Sequence, residues 1–143
     1  MWAIGVDDVW AVGDACTVLH FDGASWQPDT AAEALAPDKN LKGVSASDTS
    51  NVIAVGDSGT ALHYNGSGWT KLSIPNGHNQ YCVDVLDANN AWSGGTYGDI
   101  YYYNGSSWSH DHKVGGLSSD VDAIHGICAK ATDLIWAVGD LGT

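Results

Sequence analysis

Apolar and polar residues alternate with a period of two along most of the chain, and Gly, Asn, Asp and Ser separate the alternating runs. In one such run, Ala61 and His63 fall on one side while Leu62 and Tyr64 fall on the other. Alternation of this kind between turn residues is the pattern of a half-buried β-strand. The pattern therefore predicts short antiparallel strands.

Three segments of the chain repeat one another without a gap, at offsets of 43 and 39 residues, and a fourth copy begins at Ile135 and reaches Thr143. Another short apolar run lies before the second, third and fourth copies and predicts one more strand. We therefore expect four strands in each unit, which we name a to d in chain order. We expect one domain with units at about 1–40, 41–79 and 80–123 and a partial unit at 124–143. The three full copies are 9–26 (VWAVGDACTVLHFDGASW), 52–69 (VIAVGDSGTALHYNGSGW) and 91–108 (AWSGGTYGDIYYYNGSSW).

The link between strands c and d carries the same dipeptide signal in every full copy. Asn-Gly and Asp-Gly tolerate the positive φ angles of a two-residue type I′ hairpin turn, which we expect at each site. The three dipeptides are Asp22-Gly23, Asn65-Gly66 and Asn104-Gly105.

A four-stranded unit of roughly 40 to 50 residues is the sequence signature of a β-propeller blade. The pattern W-A-V-G-D-x-G-T-x-L-H-Y-N-G-S-x-W resembles the BNR-type or photosystem II assembly-factor-like propeller repeats and covers almost the whole chain. The resemblance implies an all-β fold of four-stranded antiparallel blades. It does not specify a function, since such propellers serve as scaffolds, lectins, glycosidases and assembly factors.

Composition supports the strands and narrows the partners. The chain has 18 Gly, seven Trp and six Tyr, which suit strands and tight turns, and its 17 acidic against five basic residues give a net charge of −12. Such a surface repels phosphate, so neither nucleic acid nor an anionic membrane is an expected partner. The N-terminus lacks a signal-peptide pattern, while the kinship to surface-type propellers favours an extracellular or cell-surface origin; a high-salt environment also selects acidic surfaces.

The number of units predicts self-association. Closed propellers have about four to eight blades, whereas three units and two strands leave sheet faces uncovered, and exposed apolar faces drive association. We expect a partial ring that a homodimer completes, with six blades if the overlapping segments 1–17 and 127–143 are displaced or exchanged, or with seven by strand count. The alternative is that the chain is a fragment of a longer propeller.

Residues that recur at one repeat position are interpreted as structural. Regular Trp placement favours packing between blades, His or Tyr in strand c favours packing with a hydrogen bond, and Asp after strand b favours a turn-holding carboxylate. A ring of such carboxylates could alternatively attract a cation such as calcium. These positions are Trp10, Trp92 and Trp136 in strand b; Trp26, Trp69 and Trp108 in strand d; His20, His63 and Tyr102 in strand c; and Asp14, Asp57 and Asp140 in the turn.

Residues that break the repeat are the candidates for ligand binding. The loops between strand d and the next strand a vary most, and in propellers they share one rim with the b–c turns. The first loop also carries Thr30 and Glu33 at capping-box spacing, which predicts a short helix before Pro37. We place a ligand on this rim, with Asp14 and Asp57 among its polar groups. The candidate residues are Trp2, Tyr81, Tyr97, Tyr101, His78, His110 and His112.

Metal and cofactor chemistry has little support in the sequence. His110 and His112 are separated by one residue, but no third ligand is fixed nearby, so no metal site or cofactor is expected. Cys16, Cys82 and Cys128 are odd in number and lack C-x-x-C spacing. A disulfide between Cys82 and Cys128 is conceivable, but free buried thiols are the favoured interpretation.

Three functions follow in order of support. The leading hypothesis is a non-enzymatic, self-assembling binding or scaffold module that takes a protein or glycan on its rim. The alternative is a carbohydrate-binding propeller lectin, favoured by the supply of aromatic residues. A glycosidase-type hydrolase is weaker, because sialidase-like propellers hold the substrate carboxylate with Arg and this chain has none. No catalytic residue is assigned.

Overall fold

Fourteen strands in four antiparallel sheets form the described part of the protein, residues 1–113 and 122–140 of a computed structural model, in which the side chains of 112 and 113 are not described. Sheet 1 holds β1 (Trp2–Gly5), β2 (Asp8–Val12), β3 (Val18–Phe21) and β4 (Trp26–Pro28). Sheet 2 holds β5 (Leu41–Asp48), β6 (Asn51–Gly56), β7 (Thr60–Tyr64) and β8 (Trp69–Ser73). Sheet 3 holds β9 (Gln80–Asp87), β10 (Asn90–Gly95), β11 (Asp99–Tyr103) and β12 (Trp108–Lys113), and sheet 4 holds β13 (Ile124–Ala131) and β14 (Leu134–Gly139).

Within each sheet the strands follow one another in chain order as an up-and-down meander. The repeat sets the register, since Trp10 pairs with His20 in sheet 1, Ile53 with His63 in sheet 2 and Trp92 with Tyr102 in sheet 3. The all-β prediction and the four-stranded antiparallel unit are confirmed.

Apolar side chains fill three layers, one between each pair of neighbouring sheets. The layer between sheets 1 and 2 includes Trp10, Val18 and Leu62, and the layer between sheets 3 and 4 includes Trp92 and Ile124. Sheets 2 and 3 are therefore covered on both faces, as in stacked propeller blades. The layer between sheets 2 and 3 contains Ile53, Val55, Ala61, Ile74, Val83, Val85, Ala91, Tyr101, Tyr103 and Trp108.

The first strands of sheets 2, 3 and 4 lie side by side and are joined by one buried carboxylate. Asp84 of β9 accepts a hydrogen bond from the hydroxyl of Ser45 in β5 at 3.2 Å and from the backbone N–H of Ala129 in β13 at 2.7 Å. Ser45 Oγ in turn accepts from the backbone N–H of Val85 at 3.1 Å. A buried charge is tolerated only when it is hydrogen-bonded, and here those bonds link three sheets.

The ring in strand c meets a polar side chain at the start of strand b in every full unit. Nε2 of His20 lies 2.9 Å from Oδ1 of Asp8, and Nε2 of His63 lies 2.8 Å from Oδ1 of Asn51. In the third unit the hydroxyl of Tyr102 donates to the side-chain oxygen of Asn90 at 2.6 Å. The ring of strand c therefore contacts the first residue of strand b in all three units, although the pair is His–Asp in the first, His–Asn in the second and Tyr–Asn in the third.

The six repeated tryptophans do not share one environment. Trp10, Trp92 and Trp108 are buried, and Trp69 is half-buried with its indole N–H donating to Asp29 at 2.8 Å. Trp26 and Trp136, by contrast, are 43% and 52% exposed. The prediction of packing between blades is therefore wrong for these two within a single chain, because they lie on the outward faces of sheets 1 and 4.

The hairpin turns differ from the predicted type I′ geometry. Tyr64 pairs with Trp69, so the loop between them has four residues, and Asn65 Oδ1 accepts the N–H groups of Ser67 and Gly68, each at 3.1 Å. Gly66 has φ +86°, but Asn65 is not among the residues with positive φ. The Asn therefore contributes its side chain to an Asx-type turn and not a left-handed backbone.

The helix predicted in the first variable loop is present as α1 (Thr30–Glu33), with a different cap. Asp29 is the N-cap, and its side chain accepts from the backbone N–H of Ala32 at 3.0 Å. Glu33 reaches instead toward the backbone N–H of Val18, 3.4 Å away. The capping-box assignment to Thr30 is therefore wrong by one residue, because Asp is the stronger cap. Across the described ranges, no helix is long and apolar enough to cross a membrane.

All three cysteines are free thiols. Cys16 is fully buried, and burial raises the pKa of its thiol. Burial raises the pKa of Cys82 to about 12. Cys128 lies in β13 opposite Trp136, on the other face from the apolar layer that receives Cys82.

Candidate functional site

One rim of the arc is built where the turn after the second strand of sheets 2, 3 and 4 is hydrogen-bonded to the loop that leads into the first strand, or inner strand, of the same sheet. The backbone N–H of Asp57 donates to Asn40 at 2.9 Å, that of Thr96 donates to Asn79 at 3.0 Å, and that of Asp140 donates to Ala123 at 3.0 Å. The turns and the variable loops therefore form one continuous edge.

The b–c turns hold non-glycine residues in the left-handed region. Ala15 has φ +51°, Ser58 φ +55° and Tyr97 φ +65° at the same repeat position. Such a backbone is unfavourable for a bulky residue, at a cost of about 1–3 kcal/mol. Tyr97 is thus kept in this conformation by the turn, and its ring lies 4.6 Å from the ring of His78.

A buried carboxylate in the third unit holds two histidines on this rim. Asp99 is 5% exposed. Its Oδ2 lies 2.9 Å from Nδ1 of His78, and its Oδ1 lies 3.2 Å from Nε2 of His110. The two imidazole side chains are 30% and 41% exposed, respectively, so one buried group orients two rings that reach solvent. We call His78, Tyr97, Asp99 and His110 the rim cluster.

Tyr101 supports the rim cluster from below. Its hydroxyl lies 3.4 Å from Oδ2 of Asp99 and accepts a hydrogen bond from Asn76 Nδ2 at 3.3 Å. Burial raises the pKa of the Tyr101 phenol, so its hydroxyl stays protonated near neutral pH and can donate to the carboxylate. Tyr101 is fully buried, so this predicted ligand-binding residue positions Asp99 and does not itself reach a ligand.

The two histidines can present hydrogen-bonding nitrogens to a ligand. His78 uses Nδ1 on Asp99 and so leaves Nε2 for other partners, whereas His110 uses Nε2 and leaves Nδ1. Each free nitrogen can bond to a polar main-chain or side-chain group, and the Tyr97 ring adds an apolar face with a polar tip. The arrangement suits a ligand that is partly apolar and carries amide-like groups.

A second row of side chains lies at the rim end of the inner strands. Lys42 Nζ lies 4.9 Å from the centre of the Tyr81 ring, and that ring lies 5.4 Å from the ring of His125. Lys42 also pairs with Asp57, and Nε2 of His125 lies 3.1 Å from Asp140. Tyr81 therefore belongs to a separate stack three residues along the chain from His78.

The other residues predicted from the sequence to bind a ligand lie outside the rim cluster. Trp2 is 36% exposed and lines a groove between the inner strands together with Ser47 and Lys130. Asp14 is exposed, and its backbone oxygen accepts from Thr17, so it holds its turn without the carboxylate. His112 pairs with Ile100 in the strand register, and its side chain lies outside the described residues.

The described side chains offer no metal-binding geometry, since no group of three or more His, Cys, Asp or Glu among them is arranged to hold a metal ion. The imidazole nitrogens nearest Asp99 are already occupied by its carboxylate oxygens. In the rim cluster, Asp99 therefore acts as an orienting group for two rings.

Asp99 is the residue that sequence reasoning missed. The corresponding position is Thr17, Thr60 and Thr143 in the other copies, so Asp99 is a single departure inside the repeat. Thr60 is 4% exposed, which shows that the position is buried in sheet 2 as well. The signal that could have identified the cluster is an Asp at a repeat position where the other three copies have Thr.

Comparison with solved structures supports the fold. The chain is similar to YCF48 bound to D1 peptide, with a TM-score of 0.62 and 22% identity over 80% of this chain. It is also similar to YCF48 from Cyanidioschyzon merolae, with a TM-score of 0.64 and 21% identity over 85% of this chain. The chain spans about two fifths of these proteins, 39% and 43% of their lengths. The expected β-propeller architecture is thus confirmed as a partial ring. No protein-family model matches the chain, and no curated protein does.

Proposed function

We propose that this chain is a non-enzymatic binding module that holds a segment of another protein on its rim cluster. The observation that carries the proposal is the buried Asp99, which orients His78 and His110 toward solvent in one unit only. Repeated positions serve the stack of sheets, whereas a polar cluster that occurs once is typical of a binding site on a repeat scaffold. A protein of similar fold, YCF48, has been solved bound to D1 peptide.

The chemistry of the rim favours a peptide segment over a sugar or a hydrolysed substrate. The free imidazole nitrogens can bond to main-chain groups, and Tyr97 offers an aromatic surface for a side chain. The net charge of −12 favours a segment without excess negative charge. The lectin and glycosidase alternatives gain no support from the comparisons. Self-association as a homodimer is part of this proposal, because two outward sheet faces remain apolar and exposed.

The test uses displayed random peptides and the D1 peptide as probes against the 143-residue chain and the variant Asp99→Thr. This substitution restores the residue of the other copies, so the fold is expected to persist while both histidines lose their tether. We expect bound peptides to lose at least tenfold in affinity, since hydrogen bonds to a charged group are worth about 1.5–3 kcal/mol each. Asp8→Asn is the matched control, because Asp8 holds His20 in the same way away from the cluster.

The outcomes separate the functions. Peptide binding that is lost in Asp99→Thr and kept in Asp8→Asn supports the proposal. Peptide binding that is equal in all three proteins contradicts the assigned site. Binding on a glycan array without peptide binding would support the lectin alternative, and turnover of a fluorogenic glycoside would support the hydrolase.

A further inference from the structure

Two apolar sheet faces point away from the stack, one at each end of the arc. On sheet 4, Leu134, Trp136 and Val138 alternate along β14 and are 47%, 52% and 59% exposed. We call these three residues the tail face. On sheet 1, Phe21 pairs with Trp26, which is 43% exposed, and their rings are 5.5 Å apart.

The outward face of sheet 1 continues beyond this aromatic pair. Val9 pairs with Phe21 and Ala11 with Leu19, so all four side chains share one side of the sheet. They alternate with Trp10 and Val12, which pack toward sheet 2. We call this surface the head face; it consists of Val9, Ala11, Leu19, Phe21 and Trp26.

The interior of the molecule already contains a contact between two such faces. Trp10 of sheet 1 packs against Tyr64 and Trp69 of sheet 2, with ring centres 5.6 and 5.5 Å away. In the repeat alignment Trp136 occupies the position of Trp10. Phe21 and Trp26 occupy the positions of Tyr64 and Trp69. The tail face and the head face are therefore the two halves of a contact that this chain makes internally.

We propose that the tail face of one chain docks on the head face of a second copy, with Trp136 seated against Phe21 and Trp26 of that copy. Two chains related by a two-fold axis form this junction twice, which covers the tail face and the head face of both copies. Because each chain carries a net charge of −12, the dimer is tighter at high salt, where like charges are screened. This deepens the self-association part of the proposed function and does not involve the rim cluster.

The test measures the mass of the full 143-residue chain by light scattering and sedimentation over a range of concentrations and salt. Val138→Glu places a charge on the tail face, and Val6→Glu is its matched control, since Val6 is 87% exposed in the turn between β1 and β2. We expect a dimer for the unmodified chain and for Val6→Glu. We expect at least a tenfold rise in the dissociation constant for Val138→Glu. Circular dichroism verifies that each variant is folded, which is expected because the altered side chains are exposed.

A mixing experiment fixes the direction of docking. Trp26→Glu blocks the head face and Val138→Glu blocks the tail face, so each alone is expected to be monomeric at a concentration where the unmodified chain is dimeric. Mixed together, they retain one intact junction and are expected to form a one-to-one pair. A monomeric unmodified chain at all concentrations, equal dimers in Val138→Glu and Val6→Glu, or a dimer that survives Trp26→Glu would each overturn the proposal. Peptide binding is measured separately on the Val138→Glu variant, so the two proposals fail independently.

Discussion

The sharpest stability test compares Trp10 with Trp136, which share a repeat position but not an environment. Trp10 is 3% exposed, stacks on His20 at 4.1 Å with an interplanar angle of 12°, and meets Trp69 edge-on at 5.5 Å. Trp136 is 52% exposed and lies on the outward face of sheet 4. The same Trp→Ala change therefore removes a filled core position in one case and a surface side chain in the other.

The structure sets the expected magnitudes. Trp→Ala in a core costs about 3–5 kcal/mol of unfolding free energy, and each aromatic pair contributes about 0.5–1.5 kcal/mol within such a loss. Trp10→Ala is therefore expected near the upper end of that range, whereas Trp136→Ala is expected to cost about 1 kcal/mol or less, as surface substitutions do. Trp10→Phe should lose less than half as much as Trp10→Ala, because the buried indole N–H has no acceptor among the described residues and its removal costs nothing.

The assay is urea unfolding followed by circular dichroism at a protein concentration low enough to disfavour self-association. The free energy of unfolding and its slope with urea are compared for the three variants and the unmodified chain. A Trp136→Ala loss equal to the Trp10→Ala loss would refute the assignment of an open face to sheet 4. Repeating the titration at high concentration should enlarge only the Trp136→Ala loss if a second copy covers that face.

Three further predictions concern single residues. Burial lowers the pKa of His63, so the unfolded chain takes up a proton before the folded chain as the pH falls below about 6.5. The free energy of unfolding should therefore decrease on acidification through that range. His63→Phe should make this decrease smaller when melting temperatures are compared at pH 5 and 7.5. The thiol of Cys82, whose pKa is raised to about 12, should resist a thiol reagent at pH 8 until the chain unfolds, and mass spectrometry of labelled peptides that found rapid modification would contradict its burial. Gly66→Ala should lower the melting temperature, because Gly66 has φ +86° and an added Cβ would lie 2.7 Å from that of Ser50, at a cost of about 1–3 kcal/mol. Gly68→Ala, with nothing within 4 Å, is the matched control, and equal melting of both variants would rule out the strained turn.

The positions of the strands and their grouping into four-stranded units could be predicted, because the same residue pattern occurs in three full copies. Val52 and Leu62 of the second copy, for example, align with Val9 and Leu19 of the first. Burial could not be predicted in the same way, since Trp10 and Trp136 are equivalent in sequence and only one has a sheet against it. The repeat fixes which side of a strand a residue occupies, but the neighbour of each sheet is a property of the assembled arc.

The candidate site was predicted in part. Non-repeated aromatic and histidine residues pointed to His78, Tyr97 and His110, which the rim brings together. Asp99 was missed because Asp is the commonest charged residue of this chain, with 16 copies, and carries no signal by itself. Only its position, buried where other copies have Thr, distinguishes it. Tyr81 was grouped with these residues, but an offset of three positions along the inner strand places it in a different stack.

The carboxylate of Asp84 affects the order in which the sheets unfold and refold. Because it binds Ser45 of β5 on one side and the N–H of Ala129 of β13 on the other, the inner strands of sheets 2, 3 and 4 are tied together through β9. In arrays of this kind cooperativity passes from unit to unit, and local opening starts where a unit has one neighbour. At protein concentrations low enough to disfavour self-association, hydrogen exchange should therefore advance inward from sheets 1 and 4. The amide of Ala129 should outlast the other amides of β13, and refolding should spread outward from the middle pair.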